Sequence, residues 1–270
     1  MELLPKTAAH QQQILRSRPI VIEFVGMMGS GKSTITSLVI EELHRRGHKC
    51  PSQKQIVSWM NKSGFNNSPQ SPGILEKLKY YSTASYLFAA LQFPVVAFKS
   101  YRYALSVQPQ NLESWQVSRY PMNWMEILKK NTRNTPYDVI VFEEATLQYV
   151  NCVPLYAKQF SRRAQKDLIS RLIAKENHVV VFTKIDADMA LKRIKRRAAE
   201  CHSKNMLAWE FEKETEDYQR QKAIHAINIY ESTLTHLKTL IPHSLIELDS
   251  LKNPEENATL VVEFIEKILQ

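Results

Sequence analysis

Paired cysteines are what this sequence most clearly lacks. Its three, Cys50, Cys152 and Cys201, lie far apart and form no C-x-x-C, so a disulfide framework or a zinc site has nothing to build on. A reducing compartment is the expected setting. The opening residues, MELLPKTAAHQQQILRSRP, contain no apolar h-region and no small-residue cleavage pattern, so no export signal is visible and a cytoplasmic protein is expected. No internal repeat is evident. A membrane span is missing as well. The uncharged stretch between Lys79 and Lys99, YYSTASYLFAALQFPVVAF, carries two Ser, a Thr, a Gln, a Pro and three Tyr. That is too polar for hydrocarbon, and the stretch predicts a buried helix interrupted near Pro94.

What the sequence does have is an apolar content of 44% over 270 residues, enough for one large domain with its own core. Its most informative segment is Ile20 to Arg46, IVIEFVGMMGSGKSTITSLVIEELHRR, in which Gly26, Gly31, Lys32 and Ser33 stand at the G-x-x-x-x-G-K-[ST] spacing of a phosphate-binding loop. A buried strand, Ile20 to Val25, feeds a turn in which Gly26, Gly29 and Gly31 let bare backbone N–H groups wrap a polyphosphate. The loop residues Met27, Met28, Ser30 and Thr34 complete the candidate phosphate site. A helix from Ser33 to Arg46 aims its positive end at the phosphates, with Lys32 as a point charge and the Ser33 hydroxyl on Mg²⁺. The net charge of +9 also calls for an anionic ligand. Basic residues concentrate only at Lys192 to Arg197, so nucleotide phosphates are expected, and neither a nucleic acid nor a membrane is an expected partner.

Residues 49–136 read as a helical, aromatic-rich insertion. It opens with a candidate strand at Gln55 to Trp59 and the loop NKSGFNNSPQSPG. Its aromatic residues suit an acceptor pocket as well as a core, and Arg102, Arg119 and Tyr120, together with Glu144 beyond it, are candidate acceptor contacts. Val139 to Phe142 is a continuous apolar run like a buried parallel strand. Glu143 and Glu144 end it, where a carboxylate can hold Mg²⁺ through water beside the loop serine. A helix is expected over Ala157 to Ala174 and a strand over Val179 to Phe182. Asp186 then caps a helix with Ala187, Leu191, Ile194 and Ala198 on one face and Arg193, Arg196 and Arg197 on the other. A long helix from Trp209 to Leu240 and a strand from Leu245 to Leu248 follow. Asn253, Pro254 and Glu256 start a closing helix with Leu260, Val261, Phe264, Ile265 and Ile268 inward.

The order of loop strand and helix, strand ending in acids, strand followed by DADMALKRIKRR, and the final LIELDSLKNPEENATLVVEFIEKIL resembles the nucleoside monophosphate kinase group, above all thymidylate kinases and deoxynucleoside kinases. The resemblance covers about residues 20–48, 137–144 and 179–270. It implies an α/β P-loop NTPase fold with a five-stranded parallel sheet flanked by helices. It also implies a helical acceptor-side insertion, a mobile lid over about residues 193–212, ATP as donor with Mg²⁺, a small-molecule phosphoryl acceptor, and a homodimer as one open possibility. Carried over by position, Lys32 is the loop lysine and Ser33 the metal-binding hydroxyl. Glu143 is the strand-end acid, serving metal or catalysis, and Arg193 and Arg197 are the lid arginines that bind ATP and stabilise the transferring group. Three departures stand out. Met28 replaces an acidic loop residue of thymidylate kinases, Glu144 replaces an arginine that touches substrate, and no E-P or R-E-P element follows the second strand. The donor half therefore matches and the acceptor half does not. A nucleotide-dependent switch stays open, since Thr183-Lys184-Ile185-Asp186 resembles a guanine-reading T/N-K-x-D. So does a binding module without turnover.

Overall fold

The computed structural model describes residues 19–62, 91, 93–106, 132, 135–143, 145–156, 159–173, 177–200 and 215–270. Within them a parallel sheet is built from β1 (Ile20–Gly26), β2 (Val139–Phe142), β3 (His178–Lys184) and β4 (Leu245–Asp249). All seven residues of β1 and all four of β2 are buried, as expected of strands covered on both faces. The order is β2-β1-β3-β4, with Ile20 beside Val139, Val25 beside Phe182 and Thr183 beside Leu248.

Helices cover both faces. On one side α1 (Lys32–Arg45) and α8 (Pro254–Leu269) close over Ile22, Phe24, Val179 and Val181 through Ile35, Val39, Leu43, Val261 and Ile265. On the other, Val25, Val180 and Phe182 meet α3 (Pro94–Ser106), α4 (Thr146–Cys152), α5 (Arg162–Ile173), α6 (Ala187–Glu200) and α7 (Glu216–Leu240). Alternation along each strand sends neighbouring side chains to opposite layers, which is why both clusters draw on the same strands. The result is an α/β fold, a parallel sheet flanked by helices on both faces.

Several expectations are corrected. The sheet has four strands among the described residues, not five, because the segment expected as a strand at Gln55 to Trp59 is part of helix α2 (Gln53–Lys62). A capping box starts it. The Ser52 amide donates to Gln55 Oε1 at 2.8 Å, while Ser52 Oγ takes the Gln55 amide at 3.4 Å. Ile56 and Trp59, three residues apart, then pack on one side with Tyr137. The helix expected from Ala157 begins at Arg162, where Ser161 accepts from the Ala164 amide at 3.2 Å. The interruption expected near Pro94 falls at Phe93: Leu91 is helical, Phe93 is a bend and α3 starts at Pro94, buried on one face only, with Val96, Ala97 and Tyr103 inward and Phe98 and Leu105 outward. In α8 the Asn253 cap is formed, accepting from Glu255 N at 2.8 Å. Its buried face is Ala258, Val261, Val262 and Ile265, whereas Leu260 and Ile268 are exposed. The long helix is described from Glu216 onward, and residues 209–214 lie outside the described residues.

No helix among the described residues is long and apolar enough to cross a membrane. Neither Cys50 nor Cys152 is in a disulfide, and burial pushes the Cys50 thiol up to about 12, so it stays protonated.

Candidate functional site

Adjacent strands β1 and β3 lead their chains away in opposite directions, β1 toward β2 and β3 toward β4. The crevice at their carboxyl ends is the ligand position of such sheets. The phosphate loop emerges there. Gly26 closes β1 with so little room that a Cβ would sit 2.2 Å from Thr183 Oγ1 and 2.7 Å from Thr183 O. Gly29 has φ 83°, and its Cβ would lie 2.9 Å from Ala190 O on α6. Gly29→Ala is accordingly expected to cost about 1–2 kcal/mol for the left-handed backbone alone. The overlap with Ala190 adds to this, and the loss is measurable as a Tm several degrees lower; an unchanged Tm would show that the loop relaxes freely.

The rest of the loop is tied from several sides. Met27 is buried in the core, while Met28 is exposed. The Gly26 amide donates to Gln148 Oε1 at 3.2 Å, and Gln148 Nε2 donates in turn to Tyr230 Oη at 2.8 Å. Ser30 Oγ and Thr183 Oγ1 are 2.7 Å apart. Gly31, at φ 84°, stands at the N-cap of α1. Lys32 is buried, donating from Nζ to Gly26 O at 2.8 Å and to Met27 O at 3.1 Å. The sequence suggests a solvated lysine; the structure places it against the loop's own carbonyls.

Ser33 Oγ donates to Glu143 Oε1, and Gln53 Nε2 donates to Glu143 Oε2 at 3.1 Å. The loop serine and the strand-end carboxylate are thus together. Among the described residues no group of three or more His, Cys, Asp or Glu is set to hold a metal. One hydroxyl and one carboxylate nevertheless suit Mg²⁺, a hard cation that takes oxygen ligands, keeps several waters and borrows phosphate oxygens.

On the other side of the loop a cleft of about 540 Å³ is lined by Ser30, Gly31, Thr34 and Ile35, by Arg193 and Arg196 from α6, and by the turn from Ser250 to Pro254. Its size suits a small ligand. Arg193 donates to Gly29 O at 3.2 Å and to Ser250 O at 2.8 Å. Arg197 is exposed and is not among the lining residues. Asp186 Oδ1 accepts from the Met189 amide at 2.8 Å, capping α6, and Lys184 is paired with Glu247. All three polar members of the guanine-reading resemblance, Thr183 through Ser30 included, are therefore engaged structurally. Arg102 faces Asp167 at 3.6 Å on α5, and Glu144, Arg119 and Tyr120 lie outside the described residues. Of the proposed lid, residues 201–212 lie outside them too.

Sequence reasoning missed Gln53, Gln148, Thr183 and the turn 250–254. For the turn a signal existed, since it leaves the carboxyl end of a core strand. The three polar residues carry none.

The loop, the parallel sheet and the crevice define an α/β protein with a phosphate-binding loop. No family model matches the chain. Adenylyl-sulfate kinases from two strains of Bacteroides fragilis are each 38% identical to it over 63 residues, 23% of this chain and 29% of theirs. The chain thus spans under a third of the length of the curated relatives it matches. Among solved structures, deoxyadenosine kinase from M. mycoides with bound dCTP aligns over 92% of this chain and 99% of that one, at 12% identity and TM-score 0.44. The same kinase with bound dATP aligns over 91% and 99%, at 12% identity and TM-score 0.43. Over those 63 residues the chain resembles adenylyl-sulfate kinases.

Proposed function

We propose that this protein transfers the γ-phosphoryl of ATP, with Mg²⁺, to a hydroxyl of a small acceptor, a nucleoside or sugar-like molecule. The observation that carries the reading is the meeting of Ser33 and Glu143 beside the glycine loop, at the carboxyl edge of the sheet. In this reading the loop amides and Lys32 hold the β- and γ-phosphates, and the cleft between α6 and the 250–254 turn takes the base and ribose. Arg197, one turn beyond Arg193, meets charge on the transferring group. Bound Mg²⁺ would neutralise charge on the β- and γ-phosphate oxygens. Glu143 orients the metal's water shell or takes the acceptor's proton. The chemistry asks chiefly for positioning and charge neutralisation, which these groups supply.

A hydroxyl acceptor fits the charge around Glu143. Its described polar neighbours are a serine and a neutral amide, and Arg102 points to Asp167 instead. Glu144 adds a second carboxylate in sequence. ATP is expected to raise the Tm more than GTP does, by the mass-action stabilisation of a bound ligand. A coupled ADP-release assay comparing nucleosides and sugars with dNMPs tests the acceptor. Efficient turnover of dTMP, at kcat/KM of about 10⁴ M⁻¹s⁻¹ or more, would overturn the hydroxyl assignment.

Ser33→Ala is expected to raise the Mg²⁺ concentration needed for half-maximal rate while leaving metal-free ADP binding nearly intact. Superimposable Mg²⁺ titrations of the two proteins would remove Ser33 from the metal site.

A further inference from the structure

We infer that Arg193 is a positioning residue, one that ties the phosphate loop to the turn after β4 and so sets the width of the donor cleft, rather than a group that meets the transferring phosphoryl. The inference rests on the donor-site reading above.

The guanidinium spends one donor on each wall of the cleft: Nη1 on Gly29 O and Nη2 on Ser250 O. A planar fork with fixed donor directions can span two carbonyls in this way, which a single ammonium does poorly. Both walls are themselves fixed. The Ser250 amide donates to Lys184 O at 3.0 Å, and Asn257 Nδ2 donates to Asp249 O at 2.9 Å, holding the turn to β3 and to α8. On the loop side, the missing Cβ of Gly29 lets the backbone rest against Ala190, one turn before Arg193 on the same helix. Helix α6 is a firm platform for this. Ala190, Leu191 and Ile194 are buried in the core, Arg220 on α7 donates to Asp188 at 2.8 Å, and Lys195 pairs with Glu216 at 2.6 Å. The Arg220 guanidinium holds the Asp188 carboxyl below its usual range, so that link persists at neutral pH. Two of its five N–H donors anchor the Arg193 guanidinium between the walls, so swinging it toward a transferring phosphoryl would release one or both carbonyls and with them the spacing between phosphate and base walls.

The two roles separate by ligand. A residue that sets cleft width matters to a molecule touching both walls and little to one touching the loop alone. Calorimetry with ADP and with inorganic tripolyphosphate, on the wild-type protein, R193M and R193K, reads this directly. R193M keeps the length of the side chain without donors. It is expected to bind ADP 10- to 100-fold more weakly and tripolyphosphate less than threefold more weakly. R193K is expected to recover part of the ADP loss, and in the transfer reaction the loss should show in the KM for ATP more than in kcat. A kcat lowered by 10³ or more with ADP affinity intact, or an equal loss for both ligands, would overturn the inference. Should R193M melt before assay, R193K alone decides, since it keeps the charge but not the fork. Wild-type protein that binds neither ligand would overturn the donor-site reading and this inference with it. Wild-type binding with R193M unchanged would overturn the inference only.

Discussion

Replacing Lys32 with alanine is expected to lower phosphoryl transfer by about 10³-fold, the loss typical of removing one preorganised donor from a developing charge, and to lower Tm even without nucleotide. The second effect follows from where the side chain lies. Only 5% of Lys32 is exposed, and its ammonium is shared between Gly26 O and Met27 O. Alanine leaves both loop carbonyls without this donor, at a cost of about 1–3 kcal/mol for buried groups. For a domain of this size that corresponds to roughly 2–4 °C per kcal/mol. The two losses have different causes, one in the folded loop and one in the reaction, so calorimetry without ligand and turnover at saturating ATP measure them separately. A variant keeping most of its turnover would take the loop out of the chemistry. A variant with unchanged Tm would show that the lysine does not support the loop's shape.

Much of the sheet was legible because buried parallel strands read as unbroken apolar runs, and VIVF of β2 and VVVF within β3 are such runs. The loop lysine and serine were legible because glycine spacing around a phosphate is a backbone requirement, met within one short segment. The second segment of the chain misled for a physical reason. Gln55 to Trp59 contains β-branched and aromatic residues, which suit a strand, whereas S-x-x-Q at Ser52 and Gln55 is a helix-start signal, and the structure uses it. In α8, seven apolar residues between Leu260 and Leu269 ring most of the helix, so periodicity alone does not choose the buried face. Gln53, Gln148 and Thr183 were illegible for a different reason. Each is an ordinary polar residue that acquires a role by meeting the site across 90, 122 and 153 residues of chain. Only the folded sheet brings them together.

Glu143→Gln is the substitution expected to separate charge from shape most cleanly. The carboxylate ends β2 at the carboxyl edge of the sheet, with Oε1 taking the Ser33 hydroxyl and Oε2 taking the Gln53 amide. A glutamine can keep both contacts, its carbonyl accepting from Ser33 and its NH₂ donating to Gln53 once that amide turns its oxygen inward. Stability should therefore change little, and what is lost is one negative charge. If that charge orients the metal's water shell or accepts the acceptor's proton, kcat falls by about 10²- to 10⁴-fold, the range for a positioned acid–base group. The Mg²⁺ concentration for half-maximal rate should rise as well. The same charge bears on the acceptor, because a carboxylate about 4 Å from a dianionic phosphate is repelled by roughly several kcal/mol at an effective dielectric near 20. A phosphorylated acceptor that turns over poorly with the native protein should thus gain relative to a neutral hydroxyl compound in Glu143→Gln, even as both rates drop. ADP release measured across a Mg²⁺ series, with one neutral and one phosphorylated acceptor, reads all three effects. A full-rate Glu143→Gln enzyme with an unshifted Mg²⁺ titration would remove Glu143 from both roles and leave its bond to Ser33 as a structural contact.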